Sequence, residues 1–144
     1  MPPARFTPAG TGPDGGYGTW QLEIGGAAYR IRLHQIPDGG DQCDHRYQSA
    51  GYQPGPVLRR LVQVRDGECA MPGCARTPRS SEWEHAIPWP AGRTCSCNGG
   101  LHCKRDHLIK QDPRWSIVQN PDGTRTWSTP AGLTYTKPRW QYPA

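Results

Sequence analysis

Residues 84–110 decide the fold. They contain three motifs in order: Glu84-His85-Ala86-Ile87-Pro88, Cys97-Asn98-Gly99-Gly100 and Cys103-Lys104-Arg105-Asp106-His107-Leu108-Ile109-Lys110. Twelve residues separate the first histidine from the asparagine, and eight separate the asparagine from the second histidine. Two pairs of ligand-type residues, Cys69 with Cys74 and Cys103 with Asp106, bracket this pattern. A potential base, an amide and several metal ligands therefore lie within one short segment.

The composition limits how this chain can fold. Glycine and proline supply 34 of the 144 residues, and there is one phenylalanine. A chain this poor in apolar bulk buries a thin core and needs a further staple, for which the six cysteines are candidates. Residues 1–18 lack the apolar core of a signal sequence, and no apolar run is long enough to span a membrane. We therefore expect a cytoplasmic protein, in which clustered cysteines favour metal binding over disulfides.

The charge is basic, with a net value of +5, and 14 of the 17 basic residues are arginine. The planar guanidinium suits phosphate oxygens, although a basic surface alone also fits an acidic partner or simple solvation. The expected phosphate contacts lie around the motifs: Arg59, Arg60, Arg65, Arg93, Arg105 and Lys110.

Hydrophobic periodicity and turn signals predict a mixture of short helices and strands. Pro56 and Gly67 bound an amphipathic helix at 57–66. A second helix is predicted at 101–111. Strands are predicted at 20–24, 29–36, 82–89, 115–119, 124–128 and 133–136.

Cys69, Cys74, Cys103 and Asp106 form the first predicted metal site. Pro72-Gly73 turns the chain between the first two thiols, and the other two residues share one side of a helix start. Structural zinc takes four tetrahedral ligands, and a carboxylate is the least usual of them. The alternative is scattered buried thiols beside an acidic residue at a helix N-terminus. We favour structural Zn²⁺.

Cys43, His45, Cys95 and Cys97 remain. Each pair places two ligand-type residues at i and i+2, on one side of an extended segment. Together they make a possible second metal site with three thiolates and one imidazole. Two alternatives stay open: Cys95 or Cys97 replaces Asp106 at the first site, or all three cysteines are free thiols beside a surface histidine.

The residues around His85 suit hydrolysis of a phosphodiester. Glu84 and His107 could hold one divalent ion, Mg²⁺ or Mn²⁺, with positions left open for phosphate and water. On a strand His85 points away from Glu84, so it can take a proton from water without binding the metal. Its ordinary pKa of about 6.5 suits this role at neutral pH. Asn98 would bond the backbone and fix the loop that orients His85.

Residues 43–142 strongly resemble the HNH endonuclease domain at the C-terminus of a large family of bacterial HNH-endonuclease-like proteins. The likeness is carried by residues 43–47, 58–62, 65–66, 72–74, 84–88, 95–98, 105–107 and 134–136. It implies a ββα-metal (His-Me finger) core, in which a hairpin carries His85 and Asn98 and the following helix carries His107. It also implies that His85 is the general base, Asn98 its orienter, and Glu84 with His107 the catalytic metal ligands. The acidic residue is often aspartate in the family, so Glu84 is one methylene longer.

We therefore expect an α+β fold with a small zinc-stapled ββα-metal (HNH) core, a flanking helix and accessory β-hairpins. Residues 1–16 are expected to be a disordered N-terminus, 17–42 an accessory hairpin, and 43–144 the HNH nuclease domain with a C-terminal hairpin. The expected function is metal-dependent hydrolysis of DNA with little sequence preference and no membrane partner. The alternative is a zinc-stabilised nucleic-acid-binding module with weak or no catalytic activity.

Overall fold

The computed structural model describes residues 4–9, 18–33, 43, 45–120 and 122–142. The chain divides into two compact units, Met1–Gln35 and Ile36–Ala144. Most of the segment 1–16 and the last three residues of the predicted strand 29–36 lie outside the described residues. None of the helices in the described part of the chain is long and apolar enough to cross a membrane.

The first unit is an antiparallel sheet with the strand order β1 (Arg5–Pro8), β2 (Gly18–Ile24), β3 (Ala27–Leu33). Gly25 and Gly26, with φ of 60° and 80°, make the turn between β2 and β3 that the sequence predicted. The expectation of disorder is wrong at Arg5–Pro8, which pairs with the central strand from Glu23 back to Trp20. Backbone pairing needs no apolar pattern, so the polar composition concealed this strand.

The second unit combines two helices with two small antiparallel sheets, which confirms the predicted mixture of helices and strands. β4 pairs with β5, and β6, β7 and β8 form a three-stranded sheet. The elements are α1 (Pro56–Asp66), β4 (Ser81–His85), β5 (Gly99–Cys103), α2 (Lys104–Lys110), β6 (Ser116–Gln119), β7 (Arg125–Ser128) and β8 (Thr134–Lys137).

The core of this unit is small. Helix α1 begins at Pro56, whose fixed φ suits a first turn, and ends at Asp66, because Gly67 with a φ of 63° turns the chain away. It packs onto the β4–β5 sheet through a buried cluster of Leu58, Val62, Trp83 and Leu101. The Trp83 ring lies so close to Gly99 that a Cβ there would overlap it. This thin apolar cluster packs helix α1 against the strands that lead to the ligand-type residues.

Two predicted boundaries around the motifs are wrong. Residues 101–103, predicted to begin a helix, belong to β5, because Leu101 pairs with Trp83 inside the core cluster. The predicted strand 82–89 ends at His85, because the backbone N–H of Ile87 donates to the side chain of Asn98 at 2.7 Å. The resulting order is strand β4, loop, strand β5 and helix α2, with no gap between the last two.

A buried ionic network joins this arrangement to α1 and β7. Arg65 donates to the carbonyls of Ser96 (2.6 Å) and Gly99 (2.7 Å), and both Arg65 and Arg125 donate to Asp66. Burial raises the pKa of Asp66, but the two guanidinium groups outweigh it and hold the pKa below its usual value. The expectation that Arg65 contacts phosphate is therefore wrong, because the residue is buried and each of its three guanidinium nitrogens donates to a loop carbonyl or a carboxylate.

Candidate metal centres and catalytic site

The first predicted ligand group, Cys69, Cys74, Cys103 and Asp106, comes together in the structure. One ligand atom from each residue lies within 4.8 Å of the others, close enough to hold a metal ion. The Cys74 and Cys103 sulfurs are 4.0 Å apart, and Asp106 Oδ2 is 3.2 Å from the sulfur of Cys69 and 3.1 Å from that of Cys103. Zn–S bonds of 2.3 Å at tetrahedral angles separate two sulfurs by about 3.8 Å, so this geometry fits one ion.

Three separate elements supply these ligands. The turn around Gly73, with a φ of 76°, brings Cys74 back towards Cys69. Cys103 is the last residue of β5, and Asp106 lies in the first turn of α2. The cluster therefore ties the 69–74 turn to the junction of strand and helix.

The electrostatics of this first cluster favour a bound cation. Asp106 is fully buried at 0% exposure, and a carboxylate in that position is costly unless it is paired. Burial raises the pKa of Asp106, but hydrogen bonds from Arg105, Cys103 and Cys69 outweigh it and lower the pKa. Burial raises the pKa of the Cys69 thiol, and a metal ion would offset that effect by binding the thiolate.

The ligand atoms of the second predicted group also lie within 4.8 Å of one another. Its members are Cys43, His45, Cys95 and Cys97. This leaves Asp106 with the first group, so the alternative in which Cys95 or Cys97 replaces it is wrong. His45 has a φ of 53°, so the chain turns at this residue and is not extended there as the sequence argument assumed. The hydrogen bond between the two thiols lowers the pKa of Cys95 to about 4 and raises that of Cys97, so Cys95 is the member of the pair that carries the thiolate.

The side chains of Glu84 and His107 meet on the face of β4 that faces α2. Glu84 Oε2 lies 2.6 Å from His107 Nε2, and their side chains are 11% and 17% exposed. Glu82, which the sequence analysis did not single out, lies 2.8 Å from His107 Nδ1. Its position two residues before Glu84 on the same strand was the available signal. A carboxylate and an imidazole therefore converge at a partly open position.

Lys110 forms an ion pair with Glu84 and does not extend into solvent. Its Nζ lies 2.7 Å from Glu84 Oε1 and 2.5 Å from the carbonyl oxygen of His85, and its side chain is 11% exposed. One helical turn after His107, it faces the same strand. The expectation that Lys110 contacts phosphate is therefore wrong for this conformation, in which its ammonium is already paired.

His85 lies on the opposite face of β4, where the strand alternation predicted it. It is 2% exposed and packs between the rings of Tyr52 and Trp83, at centroid distances of 5.2 and 5.9 Å. Burial lowers its pKa, so the neutral imidazole is the stable form near pH 7. Its deep burial was not predicted, because the sequence does not show that Tyr52 covers the ring.

Thr94 determines which nitrogen of His85 carries the proton, and the sequence analysis missed it. The Thr94 hydroxyl donates to the carbonyl of Gly51 at 2.7 Å, so its oxygen accepts at 2.8 Å from His85 Nε2–H. Trp83 Nε1–H also points at this nitrogen and would need it as an acceptor, but at 3.4 Å this contact is weaker than the 2.8 Å bond with Thr94. The neutral ring therefore keeps Nδ1 free of a proton, which is the nitrogen able to act as a base.

Asn98 fixes the loop between β4 and β5. Its side-chain oxygen accepts from the N–H of Ile87, and its side-chain nitrogen donates to the carbonyls of Ile87 and Arg93 at 2.9 Å each. Gly92 lies against this amide, where a Cβ would overlap Asn98 Nδ2 and the Ile87 carbonyl. The amide thus holds both ends of the loop that follows His85.

The remaining predicted phosphate contacts stay accessible to differing degrees. Arg60 and Arg93 are exposed, and Arg59 is half-buried. The Arg105 side chain is 69% exposed, although its Nε pairs with Asp106 at 2.7 Å. These four guanidinium groups are the basic residues that remain from the original set.

Comparisons with known proteins find three curated relatives, all from Mycobacterium tuberculosis. The uncharacterized proteins Rv2100 (strain ATCC 25618 / H37Rv) and MT2160 (strain CDC 1551 / Oshkosh) are each 35% identical to this chain over 117 residues, which is 81% of this chain and 20% of each relative. The uncharacterized protein Rv3776 of the first strain is 38% identical over 86 residues, 59% of this chain and 17% of that protein. The chain thus spans about a fifth of the length of these relatives, whose names state no activity.

No family model matches the chain, and no solved structure matches it significantly.

Proposed function

We propose that this chain is a metal-dependent HNH endonuclease domain that hydrolyses DNA phosphodiester bonds. The observation that carries the proposal is the convergence of Glu84 and His107, 2.6 Å apart, on the face of β4 opposite to His85. The strand–loop–strand–helix order supports a ββα-metal core, and the buried Cys69–Asp106 cluster supports a structural zinc beneath it. Six free cysteines suit the reducing cytoplasm, where we propose that the protein acts.

The residues around Glu84 fit a divalent ion, Mg²⁺ or Mn²⁺. Glu84 and His107 would hold it, and the carboxylate of Glu82 on His107 Nδ1 fixes the ring so that Nε2 faces the ion. Such an ion supplies charge stabilisation for the phosphate and the leaving oxygen. Two protein ligands leave coordination positions free for phosphate and water, as a catalytic site requires.

Each remaining residue of the site then has a task. His85, with Nδ1 unprotonated, would take the proton from the attacking water. Thr94 holds the tautomer that makes this nitrogen available, and Asn98 holds the loop from which Thr94 projects. Lys110 neutralises the second oxygen of Glu84 and bonds the His85 carbonyl, which positions the strand that carries both residues.

A second candidate is a zinc-stabilised nucleic-acid-binding module without catalysis. The observation that favours it is the burial of His85, which is 2% exposed and must reach a water molecule to act as a base. The exposed arginines would serve either function. The two candidates therefore differ in whether DNA is cut, not in whether it is bound.

Plasmid nicking separates these candidates. Purified, dialysed protein is expected to convert supercoiled plasmid to the nicked form when Mg²⁺ or Mn²⁺ is added, and to leave it intact without them, because the proposed ion stabilises the developing charge. The His107→Ala variant is the matched control against a contaminating nuclease. If the wild type binds DNA but cuts with neither ion, the binding module is the correct function.

Binding to DNA is expected to be nearly independent of sequence and strongly dependent on salt. Four phosphate contacts, from Arg59, Arg60, Arg93 and Arg105, would weaken affinity by about 10²-fold between about 50 and 200 mM salt. Fluorescence anisotropy with labelled duplexes measures this in the His107→Ala variant. Arg60→Ala should reduce the salt slope by about 1, whereas a flat affinity over this range would exclude these phosphate contacts.

A further inference from the structure

We propose that Cys43, His45, Cys95 and Cys97 bind a second zinc ion, which clamps the segment 43–52 onto the loop that orients His85. The metal site and its effect on the His85 hydrogen bond are independent of the proposed nuclease function. Only the consequence for cleavage rests on that function.

The ligand atoms have the spacing of a tetrahedral site. The sulfur of Cys95 lies 3.3 Å from that of Cys43 and 3.1 Å from His45 Nδ1, and the Cys97 sulfur lies 3.8 Å from the same nitrogen. These distances are at or below the separation of about 3.8 Å expected between two sulfurs bound to one zinc ion. Three thiolates and an imidazole are a common ligand set of structural zinc, and none of these cysteines is in a disulfide.

The segment that supplies Cys43 and His45 is held by individual contacts and not by a helix or sheet. Residues 45–55 contain no helix or strand, only the isolated bridge between Ser49 and Thr94. Tyr47 is the one residue of this segment packed against the core cluster, and it is partly buried. An ion bound to Cys43 and His45 would add an attachment at the start of this segment.

The loop that supplies Cys95 and Cys97 carries the residues that control His85. Thr94 directly precedes Cys95, accepts from the N–H of Ser49 through its carbonyl at 2.9 Å, and donates through its hydroxyl to Gly51. That hydroxyl is the partner of His85 Nε2. One ion with two ligands from each segment would hold the two segments in a fixed relative position. The two bonds of Thr94, to Ser49 and to Gly51, connect the same two segments.

The two clusters also differ in access. Cys43, His45 and Cys97 line an open cleft of about 410 Å³, together with Arg93 and Asn98. The four ligands of the first cluster are all buried. A chelator should therefore remove the second ion well before the first, without unfolding the protein.

The first experiment counts zinc per chain by native mass spectrometry. All proteins carry His107→Ala, so that the Glu84–His107 pair adds no ion. We expect two zinc ions in this background and one after Cys43→Ser with His45→Ala. Gln53→Ala, an exposed residue in the same part of the chain, is the control and should keep two. One zinc in the background protein, or a Cys43–Cys95 disulfide that persists in reductant, would overturn the proposal.

The second experiment follows the His85 ring by ¹⁵N NMR. Loss of the second zinc, through the double variant or limited chelation, should remove the protected Nε2–H signal. Thr94→Val should remove it while retaining both ions. If the double variant does not fold, limited chelation of the background protein still tests whether loss of the second zinc changes the His85 signal. Release of the second zinc ion with no change at His85 would contradict the clamp, and retention of His85 Nε2–H in Thr94→Val would contradict the route through Thr94.

In the catalytic protein with His107 intact, Cys43→Ser with His45→Ala should lower the nicking rate at least 10-fold with little change in DNA affinity. If the wild type cuts no DNA, the nuclease proposal fails while the zinc count and the His85 signal still test the clamp. If the wild type cuts and the variant cuts equally well, the clamp fails and the nuclease proposal stands.

Discussion

Cys103→Ser is expected to leave the chain unfolded or aggregated. Its sulfur is one of four buried ligand atoms at which the 69–74 turn, β5 and α2 meet. The apolar cluster of helix α1 and the β4–β5 sheet has four buried members, so apolar burial contributes little to holding these elements together. A structural zinc contributes about 10–16 kcal/mol of apparent binding free energy, which in a small domain becomes folding free energy. Circular dichroism and thermal melting of the purified variant measure the loss.

Cys43→Ser is the matched control for Cys103→Ser, because it makes the same change at the other cluster. Its segment lies outside the β4–β5–α2 arrangement, so we expect a folded protein that still contains one zinc. The comparison thus separates the effect of losing one thiol from the effect of losing the structural zinc ion. An unchanged melting temperature for Cys103→Ser, with no zinc in the wild type, would show that this fold does not depend on metal.

Local spacing predicted the two pairs of residues in each ligand group and helix α1, because each pair and the helix depend on residues close in sequence. The chain must turn at Pro72-Gly73, between the two cysteines. Pro56 and Gly67 indicate where the helix begins and ends. The predicted helix 57–66 and the observed Pro56–Asp66 differ by one residue. The acidic–histidine pair on β4 also separated onto two faces, as strand alternation requires.

Three of the wrong predictions depend on partners distant in sequence. Helical periodicity places Arg65 on an apparently polar side, but Ser96 and Gly99 present carbonyls there. Lys110 is captured in the same way by Glu84, and Leu101 joins a strand because Trp83 lies opposite. Nothing local distinguishes these residues from a surface arginine, a free lysine or a helical leucine.

His85→Ala and His107→Ala are expected to lose plasmid nicking for different reasons. Without the base, the cleavage rate should fall about 10²–10⁴-fold, while zinc content and DNA affinity remain unchanged. His107→Ala should also lose cleavage, but through weaker binding of the divalent ion, since its Nε2 is one of two proposed ligands. Raising the Mn²⁺ concentration should therefore restore part of the activity of His107→Ala and none of that of His85→Ala.

The measurement is nicking by the wild type and both variants across a Mn²⁺ titration. Because His85 is buried between Tyr52 and Trp83, removing its ring leaves a cavity, so circular dichroism must first confirm that the variant is folded. His85→Gln, which fills more of that space without the basic imidazole, is the control and should be as inactive as His85→Ala. Undiminished nicking by a folded His85→Ala protein would overturn the assignment of His85 as the base. Equal rescue of both variants by Mn²⁺ would instead assign His85 to metal binding, which its position on the face opposite to Glu84 argues against.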